Sequence, residues 1–206
     1  MGAKEIVSIV SGAAEDGTGI YADLIDSQNR RIRSGYHSLI ESIGLSKPNA
    51  PAEEEEIIFN GINLPNEGST FSLEKPHTRL HGNVTTIEQD KQSTASEDCY
   101  MRGILFKATT ATSEMPLIHI TDGARAVITD CIFYRGDGQG DAPFIEVEDG
   151  ATAIIIGCAF IGTETVANAV LHAGPPPAAT NVQIVGCSGR NVTAFGANTT
   201  VTASLT

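Results

Sequence analysis

The sequence predicts an all-β chain in which residues 68–206 wind into a short right-handed, single-stranded parallel β-helix of about four to five turns, preceded by a helical attachment segment. Three observations lead to this prediction. Similar segments recur every 27 residues or so, apolar and polar residues alternate within each copy, and a Gly or Asp separates two short strands. With no Trp and 5% aromatic residues, the core has to be mainly aliphatic.

The repeat becomes visible when four segments are aligned: CYMRGILF (99–106), AVITDCIF (126–133), AIIIGCAF (153–160) and VQIVGCSG (182–189). The resulting columns are Cys99, Ala126, Ala153 and Val182; Met101, Ile128, Ile155 and Ile184; Gly103, Asp130, Gly157 and Gly186; Ile104, Cys131, Cys158 and Cys187; and Phe106, Phe133, Phe160 and Gly189. A second block aligns PLIHITDGARA (116–126) with PFIEVEDGATA (143–153), and AVLHA (169–173) follows at a spacing of about 26. TRLHGN (78–83) is an earlier, weaker copy with Leu80 and Gly82 in register.

Equal residues at equal offsets indicate strands that stack turn upon turn. A Gly or Asp between two strands suits a left-handed backbone bend, and a period in the twenties allows three short strands in each turn. Like residues then form ladders at the strand spacing of about 4.8 Å. An antiparallel sandwich or barrel remains the alternative, although it does not require equal offsets over four copies.

The columns, together with LEKPHTRLHGN (73–83), resemble those of the right-handed parallel β-helix superfamily, which includes pectate-lyase-like proteins and bacteriophage tailspikes. The resemblance covers roughly residues 68–206 and is one of architecture. It implies a scaffold that such families use for virion proteins and for polysaccharide-degrading enzymes.

Residues 1–50 differ from the repeats and are predicted to form an attachment or oligomerisation segment. An amphipathic helix is expected over about residues 19–43, where Ile25, Ile32 and Leu39 are spaced by seven. Its apolar side either packs on the chain's own β region or forms a self-associating seam. Residues 51–67 are predicted to be a linker, rich in Pro and Glu, and a first strand beginning near Ile57.

Several groups could carry chemistry, and each also has an ordinary structural explanation. The cysteines fall in inward columns without metal-site spacing, so we expect reduced, buried thiols and no bound metal. His119, Glu146 and His172 are expected in one outward column, as a metal or acid–base set or as ordinary surface residues. The loop at 135–143 resembles a calcium loop weakly and fits a glycine-rich turn better.

A polysaccharide-degrading enzyme needs carboxylates, or carboxylates with basic residues, on one groove face. The outward basic residues of the repeats are not expected to cluster with acidic ones; they are Arg102, Lys107, Arg125, Arg135 and Arg190. The prediction is therefore no catalytic residue, no cofactor and no enzyme. The net charge of −12 disfavours nucleic-acid binding, and no apolar run reaches the roughly 18 residues of a membrane span.

These observations lead to an expected function. The chain is expected to be a non-enzymatic structural protein of a tailed-bacteriophage virion, folded and assembled in the host cytoplasm. A homotrimeric capsid decoration protein, of the cement or head-spike kind, comes first; it would contact the major capsid protein or another virion protein through residues 1–50. A tail spike or fibre that binds host carbohydrate comes second, and a polysaccharide lyase or hydrolase third.

Overall fold

The computed structural model describes residues 5–11, 20–25, 31–34, 55–60, 63–64, 72–73, 78–89, 92–108, 114–173, 181–197 and 200–202. All regular elements in these ranges are β-strands. They are β1 (Glu5–Ser11), β2 (Ile20–Ile25), β3 (Arg31–Ser34), β4 (Glu55–Asn60), β5 (Asn63–Leu64), β6 (Ser72–Leu73), β7 (Thr78–Gln89), β8 (Ser93–Ala95), β9 (Cys99–Ala108), β10 (Ile118–Ile120), β11 (Arg125–Thr129), β12 (Ile132–Arg135), β13 (Ile145–Val147), β14 (Thr152–Ile156), β15 (Ala159–His172), β16 (Val182–Val185), β17 (Ser188–Ala197) and β18 (Thr200–Thr202).

The strands from β4 onward form a parallel β-solenoid with three faces. The first face contains β4, the start of β7, the start of β9, β11, β14, β16 and β18. The second face contains β5, the ends of β7 and β9, β12 and the starts of β15 and β17. The third face contains β6, β8, β10, β13 and the end of β15. The part that can be interpreted in detail makes about three turns, fewer than the four to five predicted.

The register confirms the columns predicted from the repeat. Ala126 lies between Cys99 and Ala153 on the first face, and Ala153 pairs with Val182. On the second face Phe133 lies between Phe106 and Phe160. Leu80 pairs with Met101, so the weaker copy at 78–83 is also in register.

The bend between the first and second faces explains the Gly/Asp column. Gly103, Asp130, Gly157 and Gly186 have φ angles of 68°, 53°, 64° and 61°. This left-handed region is open to Gly and tolerated by Asp. Backbone bonding continues through the bend, since the Asp130 amide donates to the Ile156 carbonyl at 3.0 Å.

Ladders of like residues fill the interior. Met101, Ile128, Ile155 and Ile184 are fully buried on the first face. Phe133 stacks between Phe106 and Phe160 with centroid distances of 5.2 Å on both sides. Such aromatic pairs add about 0.5–1.5 kcal/mol each to the stabilisation from burial alone. The core is thus aliphatic on the first face and aromatic on the second.

The N-terminal segment differs from the prediction where it is described. Within the helix expected over about residues 19–43, the structure has strands Ile20–Ile25 and Arg31–Ser34. β2 pairs antiparallel with β1, which itself pairs in parallel with β4, so backbone pairing with a sheet edge replaces helical bonding in these pieces. The remaining positions of the predicted helix lie outside the described residues, and the attachment role stays a prediction.

Candidate binding depression on the first face

The outward column expected to contain His119, Glu146 and His172 is only partly formed. His119 and Glu146 are neighbours on the third face, but Glu146 pairs next with Leu171. His172 pairs with Val147 and is buried, because the spacing from Ile145 to its partner Val170 is 25 and not about 26. A shift of one residue moves a side chain to the opposite side of a strand.

His119 takes part in a different polar group. Its Nε2 lies 3.0 Å from a carboxylate oxygen of Glu148, and its Nδ1 lies 3.1 Å from the side-chain amide nitrogen of Gln92. The other carboxylate oxygen of Glu148 accepts a hydrogen bond from the Asp122 backbone amide at 2.8 Å. These contacts link three turns at the end of the third face.

The thiols form the predicted interior ladder. Cys131, Cys158 and Cys187 are buried, and the Cys158 thiol lies within hydrogen-bonding distance of the Ile128 and Ile156 carbonyls. The hydrogen bond to Cys131, together with burial, raises the pKa of Cys158 to about 12, so this thiol is protonated at neutral pH. In the described part of the chain, no three His, Cys, Asp or Glu side chains are arranged to hold a metal ion.

The loop after β12 surrounds a protein cation. Arg135, expected on the surface, is 1% exposed. Its guanidinium donates to the Gln139 and Pro143 carbonyls, both at 3.1 Å, and to the Met115 carbonyl. Burial lowers the pKa of Arg135 to about 10, which still leaves it charged at neutral pH. The carbonyls that suggested a calcium loop thus bind an arginine.

Two basic residues of the second bend and second face pair with acidic residues, contrary to expectation. Arg102 lies 3.2 Å from Asp130, and Lys107 lies 2.7 Å from Glu88. Each pair joins neighbouring turns, because the partners stand on adjacent strands. The sequence spacing concealed both pairs, since the partners are 28 and 19 residues apart.

A depression of about 270 Å³ lies on the outer side of the first face. It is lined by Arg79, Asp98, Cys99, Tyr100, Arg125 and Val127. The register explains how these residues meet: Tyr100 pairs with Arg79 on one side and with Val127 on the other. Adjacent strands lie about 4.8 Å apart, so three successive turns contribute to one surface.

The entry to the first face adds one charge of each sign. Asp98 and Arg125 each precede a residue of the Cys99–Ala126 pair, so they stand at equivalent positions in neighbouring turns. Burial and the Asp98 carboxylate raise the pKa of Cys99 to about 12. The thiol at the base of the depression is therefore neutral.

The aromatic side chain in the depression is held in place. The Tyr100 hydroxyl lies 3.0 Å from the Thr129 hydroxyl, within hydrogen-bonding distance, and its ring lies 5.6 Å from the His81 ring. Among the described residues the ion pairs involve other groups, so neither Arg79 nor Arg125 has a carboxylate within salt-bridge distance. The depression thus combines two guanidinium groups, one carboxylate and one fixed aromatic ring.

The sequence analysis missed this cluster. It noted Arg125 but did not connect it with Arg79, Asp98 or Tyr100. The alignment of Leu80 with Met101 contained the signal, because it places Arg79 beside Tyr100.

Across the residues that the structure describes, no helix has the length and apolarity to cross a membrane. Comparison with protein-family models, with curated proteins and with solved structures found no match. The assignment of the fold as a parallel β-solenoid therefore depends on strand register alone.

Proposed function

We propose that the protein is a non-enzymatic structural component of a tailed-bacteriophage virion, a homotrimeric capsid decoration protein that presents a rigid solenoid. Residues 1–50 attach it to the major capsid protein or to another virion protein. The observation that supports this proposal is the continuous interior, in which each turn stacks like residues on the turn before.

The stacking suits a projecting rod. Phe106, Phe133 and Phe160 form one uninterrupted stack, and the Ile column on the neighbouring face is fully buried. Close-packed interiors resist deformation. A decoration protein needs this resistance, since it has to hold its shape while it is fixed to a particle at one end.

The test is to locate the protein in virions. Antibodies against the purified chain, detected with gold particles by electron microscopy, should label phage heads in lysates of the bacterium from which the gene derives. Light scattering of the purified protein should give three times 21.6 kDa. A monomer in solution together with unlabelled virions would reject the proposal.

A variant that lacks residues 1–50 tests the attachment role. The truncated chain should retain cooperative melting and no longer co-sediment with undecorated heads, whereas the full chain should saturate them. If the truncated chain binds heads at full occupancy, attachment occurs through the solenoid instead.

A tail spike or fibre that binds host carbohydrate is the second candidate. The depression on the first face favours it, because guanidinium groups beside an aromatic ring provide polar and apolar contacts at one place. Under this alternative the gold label lies on tails, and the protein binds to host cells or to their extracted surface glycans.

A further inference from the structure

We propose that the depression formed by Arg79, Asp98, Tyr100 and Arg125 binds a small carboxylate that also carries a hydrogen-bond donor, the chemistry shared by hydroxy acids and amino acids. This inference goes beyond the virion assignment and does not depend on it. It is based on the combination of charges in the depression, their availability and the size of the space.

The two guanidinium groups specify an anion. Arg79 and Arg125 line the same depression from different turns and, within the described part of the chain, neither is within salt-bridge distance of a carboxylate. A guanidinium offers a planar pair of donors that matches a carboxylate. Because the whole chain carries a net charge of −12, anions are repelled from most of its surface and are favoured only at such a local positive site.

Asp98 narrows the chemistry further. A carboxylate in an anion site repels groups of high negative charge such as phosphate, and it accepts hydrogen bonds from a hydroxyl or an ammonium group. The ligand that satisfies all three charged side chains has a carboxylate for the arginines and a donor for Asp98. Tyr100 and Val127 supply contact area for the carbon skeleton between these two groups.

Size and rigidity fit a small ligand. The space of about 270 Å³ is slightly below the lower end, about 300 Å³, of typical small-molecule sites. The lining residues lie in or beside strands of one ladder, and the Tyr100 hydroxyl is fixed by Thr129. Little ordering is then required on binding, which favours affinity.

The experiment is a titration of the full isotope-labelled chain followed by backbone amide chemical shifts. Gluconate represents the hydroxy acids and serine the amino acids. Acetate has the carboxylate without the donor, glucose has donors without the carboxylate, and inorganic phosphate has higher charge. Gluconate or serine should shift the amides near Tyr100 and Arg125 with saturation at about 10 mM, as expected for a millimolar site; the stronger of the two identifies the class of donor.

Substitutions separate the two contacts. Arg125→Gln should weaken binding at least tenfold, and Arg79→Gln provides the same test should the first variant fold poorly. Asp98→Asn should reduce the preference for gluconate or serine over acetate. Arg190→Gln, an exposed arginine on the second face, is the matched control and should bind as the parent does. The proposal is wrong if acetate or phosphate binds as tightly as the preferred ligand, if the shifts lie elsewhere, or if Arg125→Gln and Arg79→Gln bind normally.

Discussion

The bend between the first and second faces and the third face use the same repeat in different ways. At the bend, the columns keep their residues and spacing, and the backbone of each turn takes the same left-handed conformation. On the third face, the spacing changes from 27 to 25 residues between successive turns, and the preceding loop encloses Arg135. Sequence repetition is thus strongest where backbone geometry and packing both constrain the residue.

The largest effect should come from a charge inside the repeated part. Ile155 is fully buried between neighbouring turns, whereas Ile156 is 42% exposed on the opposite side of the strand. Ile155→Asp should prevent folding, since an isolated buried carboxylate costs several kcal/mol, and Ile156→Asp should melt near the parent temperature. Circular dichroism on heating compares the two, and a cooperatively melting Ile155→Asp protein would refute the register.

Removal of the buried cation tests the third face. Arg135→Met should destabilise the protein by about 2 kcal/mol, because three loop carbonyls lose a charged donor while the cost of burying the cation is removed. Hydrogen exchange should increase in residues 114–117 and 136–144 and change little at Phe133. Arg190→Met is the exposed control. Equal loss of protection over the whole solenoid would show that Arg135 supports more than its loops.

A substitution at the bend tests the constraint on the backbone. Gly157 has a φ of 64°, and a Cβ there would lie 3.0 Å from a carboxylate oxygen of Asp130. Gly157→Ala should therefore cost about 1–2 kcal/mol in the free energy of unfolding. Asp130→Gly, in the same column, should cost less, since it relieves a strained backbone and loses only an exposed ion pair. Urea denaturation measures both, and a neutral Gly157→Ala would mean that the bend adapts.

The smallest expected effect concerns a thiol at the entry to the first face. The pKa of Cys99 is raised from 9.0 to about 12 in the folded protein, so the unfolded thiol loses its proton first as pH rises. The contribution of Cys99 to stability is complete below pH 9 and is lost between about pH 9 and 12. Cys99→Val should therefore show a shallower decline of stability than the parent from pH 8.5 to 10.5. Parallel declines would contradict the burial of this thiol.

The sequence by itself determined the first two faces. Left-handed bends admit few residues, and a stacked interior admits few shapes, so Gly or Asp and the Ile, Cys and Phe columns recur at readable spacings. These constraints act on each residue through its nearest neighbours in adjacent turns, and the alignment of copies is enough to detect them.

Only the tertiary structure decided the rest. A shift of the alignment by one residue buried His172, and a loop closed around Arg135 because its carbonyls needed a donor. Arg79 and Arg125 became neighbours in one depression although 46 residues separate them. Outward positions are free to vary from turn to turn, so their neighbours depend on loop length and register, which sequence periodicity fixes only where the interior repeats.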